Sequence, residues 1–180
     1  MRKAVGSLLA LSLLIPVGVL AAGSAGAATA TLPTCTKLTG TVKYSPALPK
    51  IGNSTKVTST STTSLKITGC SGGGITSGTI SGTSTYTGNC TTLLTPSTKP
   101  LISTVKWSNG KSSSLSTTTK TTSKTGVTPI TAILTSKITA GLGVGRTTTV
   151  PVKIVAAPGA CLQSALTGYT ITNTGKFVTK

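Results

Sequence analysis

Residues 101–115 read Leu-Ile-Ser-Thr-Val-Lys-Trp-Ser-Asn-Gly-Lys-Ser-Ser-Ser-Leu and contain the single Trp of the chain, Trp107. Asn109-Gly110 lies between two Val/Thr/Ser-rich runs and offers the two positive-φ positions that a type I′ turn demands, so the stretch predicts a β-hairpin. In its first arm Leu101, Ser103, Val105 and Trp107 share one face and Ile102, Thr104 and Lys106 the other. That alternation turns Trp107 inward as a core anchor.

The same period of two extends outward in both directions. Before the hairpin, strands are expected over residues 36–44 (Leu38, Val42 and Tyr44 inward), 54–68 (Val57, Leu65 and Ile67 inward, Lys56 and Lys66 outward) and 75–87. Ser45 to Pro49 should break the first of these, and Gly78 and Gly82 predict bulges or a close neighbour within the third. After it, residues 128–139 alternate cleanly, with Ile130, Ala132, Leu134, Ser136 and Ile138 on one side. Residues 146–156 follow, with Val150, Val152 and Ile154 together, and residues 166–178 form the last strand. Pro151 lacks an amide donor, which predicts an edge strand or a bulge there. No segment longer than a turn shows helical periodicity. The expected architecture is all-β, a single antiparallel eight-stranded β-barrel or β-sandwich built as an up-and-down meander, with the last strand returning beside the first so that no long edge is bare.

The chain begins with Arg2 and Lys3, continues through an apolar segment from Leu8 to Leu20 and reaches Ala25-Gly26-Ala27. That order predicts a secretory signal peptide over residues 1–27, leaving residues 28–180 as one secreted domain without a transmembrane segment. Four cysteines, Cys35, Cys70, Cys90 and Cys161, then read as two disulfides in an oxidising compartment. If successive strands run antiparallel, the first begins where the second ends, which brings Cys35 beside Cys70. The third and seventh end together at the other edge, which brings Cys90 beside Cys161. Joining Cys70 to Cys90, with Cys35 to Cys161, would span roughly 40 Å along the third strand unless residues 71–89 form a tight hairpin of their own. A separation beyond about 7 Å between Cα atoms cannot be bridged. Both pairings stand at this point, with the first favoured.

The charge inventory is one-sided. There are 17 Lys plus Arg and no Asp, Glu or His; Arg2 and Lys3 account for two of them and leave fifteen on the mature chain. No side-chain carboxylate exists to pair with any of these cations, so they should face solvent. The same absence removes the Ser-His-Asp triad, the glycosidase carboxylate pair, the zinc hydrolase site and the carboxylate-bound calcium or magnesium site. Neither glycine-rich stretch, Gly72 to Gly74 or Gly141 to Gly145, precedes a helix or ends in GKS/T, so neither is a phosphate loop. The expectation is a noncatalytic protein with no cofactor and no metal. One Trp, three Tyr and one Phe are too few to interleave with the cations as stacking platforms, which argues against specific nucleic-acid binding. Asn53-Ser54-Thr55 and Asn89-Cys90-Thr91 match the N-glycosylation pattern by chance.

At Tyr44-Ser-Pro-Ala-Leu, at Gly69-Cys-Ser-Gly-Gly-Gly-Ile-Thr-Ser-Gly and at Thr104-Val-Lys-Trp-Ser-Asn-Gly-Lys-Ser-Ser the chain resembles small secreted Thr/Ser/Gly-rich proteins of actinobacteria. The resemblance implies an all-β fold and an extracellular setting, and it carries over no active residues. Two functions remain open from sequence. One is association of the basic surface with an anionic cell envelope, its cell-wall polymers or lipid surface. The alternative is carriage of a small apolar ligand within the barrel.

Overall fold

The computed structural model describes residues 32–93, 100–122 and 129–180; the expected leader lies outside them, as do Pro96, Lys124 and the start of the strand predicted from residue 128. Among the described residues the chain forms β1 (Lys37–Leu48), β2 (Val57–Thr68), β3 (Gly78–Gly88), the one-turn α1 (Cys90–Leu93), β4 (Leu101–Trp107), β5 (Ser112–Thr121), β6 (Ile130–Gly141), β7 (Thr147–Ala156), β8 (Leu166–Asn173) and the short β9 (Val178–Thr179). Each strand from β1 to β7 pairs antiparallel with the next, β8 pairs with β1 and β9 adds to β7, so eight staves close into an up-and-down barrel rather than a sandwich. Closure is the physical answer to the edge problem: the first and last staves, which would be the edges of an open meander, pair with each other.

Thr, Val and Ile dominate these strands because branching at Cβ suits a pleated surface, and their alternation places one side of every stave inward. In β2 the burial alternates without a break from Ser59 to Ile67. The closing seam pairs residues 39–43 of β1 with residues 168–172 of β8. A side chain extends it: Asn173 Oδ1 accepts from the Leu38 amide at 2.8 Å, and its Nδ2 donates to the Thr36 carbonyl at 2.9 Å.

Two prolines behave differently from the simplest sequence expectation, and two glycines take the second of the two roles expected of them. β1 does not stop at Tyr44 but runs to Leu48, since Pro46 lies beyond the last β2 pair, Ser45↔Thr60, and within the register shift against β8. No ladder donor is required of it there. Pro151 is neither on an edge nor in a bulge of its own strand, for β7 is partnered on both sides. Its carbonyl accepts from the Thr174 amide at 2.9 Å, and because N and C=O of a strand residue face the same neighbour, its missing donor falls where β8 ends. The interruption is carried by that neighbour. Asn173 pairs with Val152 and Val178 with Thr149, so two extra residues loop out between β8 and β9 and turn Phe177 onto the core. Gly78 and Gly82 cause no bulge, since the β2–β3 register is unbroken; they are sites of close approach.

The hairpin between β4 and β5 is a correction of type. Trp107 N–H donates to Lys111 C=O at 2.9 Å and Gly110 N–H to Trp107 C=O at 3.0 Å, and of the three loop residues only Gly110 has positive φ, at 80°. This is a three-residue loop, a type I turn followed by a left-handed bulge residue, not a type I′ turn. Its tip is also tied down: Ser108 Oγ accepts from the Thr76 amide at 2.9 Å and Ser108 N–H donates to Ser77 C=O at 3.0 Å.

This assignment separates the two turn residues. Gly110→Ala should cost about 1 kcal/mol through φ alone, nothing lying within 4 Å of the added methyl, whereas Asn109→Gly should cost a few tenths at most beyond the loss of its 3.1 Å bond from the Lys111 amide. Denaturant unfolding of both variants checks it; equal penalties would restore a type I′ turn.

Candidate functional site

The residues singled out from sequence lie at the two ends of the barrel. Cys35–Cys70 joins the segment before β1 to the β2–β3 loop, beside a pair of 2.9 Å backbone bonds between Thr34 and Ser71, and Cys90–Cys161 joins α1 to the β7–β8 connection at the opposite end. These are the pairs that strand parity favours, and two disulfides fit an oxidising environment. Cys161 sits at φ 70°, a left-handed conformation uncommon outside glycine. It is held by bonds from its amide to Ser164 C=O at 2.9 Å and from Ile51 N–H to its carbonyl at 2.7 Å. Asn89 is buried and caps α1, its Oδ1 accepting from the Thr92 amide at 3.1 Å while Nδ2 donates to Asn53 C=O at 2.8 Å.

Trp107 faces inward and is partly buried against the core. Its ring lies across Gly78, where an added Cβ would fall 2.8 Å from it, so the glycine is what gives the indole room. Nε1–H donates to Ser113 Oγ at 2.8 Å, and Ser113 in turn donates to Leu142 C=O at 2.8 Å, which satisfies the buried polar end. With Phe177 the indole forms the floor of the interior. The roof is three tyrosines: the Tyr44 ring lies 6.3 Å from that of Tyr86 and 6.1 Å from that of Tyr169.

Between roof and floor the inner face carries smaller groups. Val42, Thr63 and Gly82 share one row by register, and Thr117 and Ser136 bond each other at 2.8 Å across β5 and β6. The result is an interior cavity of about 150 Å³ lined mainly by aliphatic side chains, with Trp107, Phe177 and Tyr169 at its ends. Thr63 lines this cavity and is 4% exposed, yet its hydroxyl has no hydrogen-bond partner. Ser59, two inward positions earlier on β2, is the other buried hydroxyl without a partner among the described residues, but it does not border the cavity.

Thr63 shares the parity of Leu65 and Ile67, although the sequence reading did not single it out. That its hydroxyl is left without a partner depends on the packing of neighbouring strands, which no local pattern carries. Phe177 keeps the inward parity of Tyr169 and Ile171, because the excess before β9 is two residues, but it lies beyond β8, where the strand alternation gives way to a loop.

The outer wall is hydroxyl and ammonium. Every described Lys and Arg is exposed. Following the ladders at one level gives Lys153 on β7, Thr172 on β8, Thr39 on β1, Lys66 on β2, Thr79 on β3 and Lys106 on β4. At about 4.8 Å between strands, Lys66 and Lys106 stand about 10 Å apart with Thr79 between them. A shallow groove crosses this wall at Gly168, bordered by Thr41, Lys43, Val155 and Thr170. Ile102 and Val155 are isolated apolar residues on the outer face, not the continuous apolar band of a lipid-facing barrel. No described helix is long and apolar enough to cross a membrane, and no described cluster of His, Cys, Asp or Glu could hold a metal. No family model, curated protein or solved structure matches the chain.

Burial pushes the phenol of Tyr44 far above its ordinary 10.0, with the neighbouring Tyr169 adding to the effect, and burial raises Tyr169 as well. The Tyr169 ring is only half-buried, but its hydroxyl lies inside the barrel, and the hydroxyl sets the ionisation. A phenol whose folded pKa is raised stays protonated while the unfolded chain gives up its proton above pH 10, so the stabilisation is complete below that pH and falls above it. Two such groups should lower stability by up to about 2.7 kcal/mol per pH unit. Phenolate absorbance followed with circular dichroism should therefore show Tyr44 and Tyr169 ionising only as the barrel unfolds. Smooth titration of all three tyrosines near pH 10 with the fold intact would contradict this.

Proposed function

We propose that the protein is secreted and noncatalytic, and that its outer wall associates with anionic polymers of the cell envelope. The observation that carries this reading is the combination of exposed cations, every Lys and Arg among the described residues, with a chain that holds no acidic side chain. Each ammonium group is an unspent charge. The leader-like residues 1–27 and the two disulfides support an extracellular setting.

The geometry favours a long, repeating partner over a compact one. Lysines about 10 Å apart are near the screening length of about 8 Å at physiological ionic strength, so each acts almost independently. Binding is then the sum of many weak contacts along a polymer bearing phosphate or carboxylate groups, with the Thr and Ser hydroxyls between them available to its oxygens. The lack of His, Asp and Glu supports a noncatalytic role.

Retention on purified cell walls across a salt series tests the reading. Binding should be firm at low ionic strength and fall steeply as salt rises, since neutralised charges release counterions. The triple variant Lys66→Gln, Lys106→Gln, Lys153→Gln should bind about a hundredfold more weakly at low salt, at about 1 kcal/mol per lysine near an anionic surface. No retention of the native protein at low ionic strength would refute the proposal.

A further inference from the structure

The interior cavity is independent of the outer wall, and six consecutive staves build it. By register Thr63 on β2 pairs with Gly82 on β3, and Gly82 lies against Ser103 on β4, where an added Cβ would fall 3.0 Å from the serine Cβ. On the next three staves Thr117, Ser136 and Thr148 form one row across β5, β6 and β7. Each is an inward position at which a Leu or Ile would fill the lumen. The void is therefore a pattern around the wall, not one missing side chain. An unfilled interior of this kind costs stability roughly in proportion to its volume, which a guest recovers.

At about 150 Å³ the cavity matches the size at which an apolar interior accepts a benzene-sized guest. It is well below the 300 Å³ or more, roughly, of sites for drug-sized ligands. A long acyl chain does not fit. Trp107 and Phe177 at one end and Tyr169 at the other bound the length of the space. No Lys or Arg borders it, and the chain has no acidic side chain, so a charged guest would lose its hydration without compensation.

The hydroxyls at its border do not converge on a polar guest. Thr117 and Ser136 are bonded to each other at 2.8 Å, and Thr148 to Thr179 at 3.2 Å. Thr63 Oγ1 is buried away from the lumen, the Tyr169 hydroxyl meets that of Tyr44, and Thr119 and Thr179 are exposed to solvent at the rim. That leaves Ser103, on a wall otherwise of aliphatic and aromatic carbon. Selection here rests on volume and on the absence of charge.

We propose that the barrel lumen binds one compact, uncharged, apolar molecule of about benzene size, held by exclusion of water from its surface and not by a polar contact. The small side chains of β2 to β7 make the room, and the aliphatic wall supplies the affinity. A hydroxyl added to such a guest gains nothing in the lumen, and a carboxylate bars it from entry.

The disulfide-intact protein is titrated in high salt, which screens the outer wall, with fluorobenzene, para-fluorophenol, para-fluorobenzoate and fluoronaphthalene, followed by fluorine NMR and Tm. Fluorobenzene should bind saturably and raise Tm, and it should shift the emission of Trp107, which lines the cavity and is the only Trp. The benzoate and the naphthalene should not bind, and the phenol should bind no more tightly than fluorobenzene. Ser103→Leu and Ser136→Val put aliphatic carbon into the space from β4 and from β6. Each should weaken fluorobenzene binding at least about tenfold and raise the Tm of the empty protein, with near-ultraviolet circular dichroism reporting that the barrel is intact. The proposal fails if fluorobenzene does not bind up to its solubility, if the phenol binds more tightly, or if the benzoate or the naphthalene binds as well. It fails also if whichever filling variant folds binds fluorobenzene as the native protein does. Because high salt silences the surface lysines, failure here leaves the cell-wall result untouched, and the reverse holds too.

Discussion

Everything in this fold depends on the seam at which the end of the chain pairs with its beginning. The seven other junctions join strands that are neighbours in sequence and need only a turn. The β1–β8 ladder instead brings residues 39–43 against residues 168–172, with Asn173 bonded to Thr36 and Leu38 as an added rung. Closing so long a loop is entropically expensive. Once it is closed each of the eight staves has a neighbour on both sides, and an inside exists. The cavity, the aromatic roof and floor, and the burial of Thr63 have no meaning in an open sheet.

A second constraint shapes both surfaces of the wall. A chain with no Asp, Glu or His cannot neutralise a cation internally, and a buried unpaired ammonium is prohibitive. Every described Lys and Arg accordingly points out. The interior must then be built from aliphatic groups and hydroxyls, and hydroxyls are small. Thr63, Ser103, Thr117 and Ser136 occupy the waist where larger side chains would have filled the lumen. The basic exterior and the unfilled interior are two results of one composition.

Strand number, direction and the inward face were legible in sequence because a period of two survives even in a Thr-rich chain. Strand parity alone favoured Cys35 with Cys70 and Cys90 with Cys161, the pairs the structure contains. Barrel and sandwich could not be separated, since a return of the last strand beside the first was expected of either, and only the pairing around the whole circumference makes one closed ring. The hairpin was legible at Asn109-Gly110 but its type was not: a type I′ turn and a type I turn with a bulge both place Gly110 at positive φ. Only the pairing of Trp107 with Lys111 decides between them. The site was the least legible part. Parity puts Thr63 inside, but a cavity is a sum of volumes from eight staves, and an unpartnered hydroxyl is a property of the assembled lumen.

Native-state hydrogen exchange at the seam tests this account most directly. If closure is the constraint on which the rest depends, the hydrogen-bonded amides of β1 and β8 within residues 39–43 and 168–172 should exchange only by global unfolding. Their protection should then match that of the β2–β3 ladder between Val57 and Gly88. Seam amides that exchange far faster while β2 and β3 remain protected would show a sheet that opens at β1–β8, and would contradict the closed barrel as the source of the interior site.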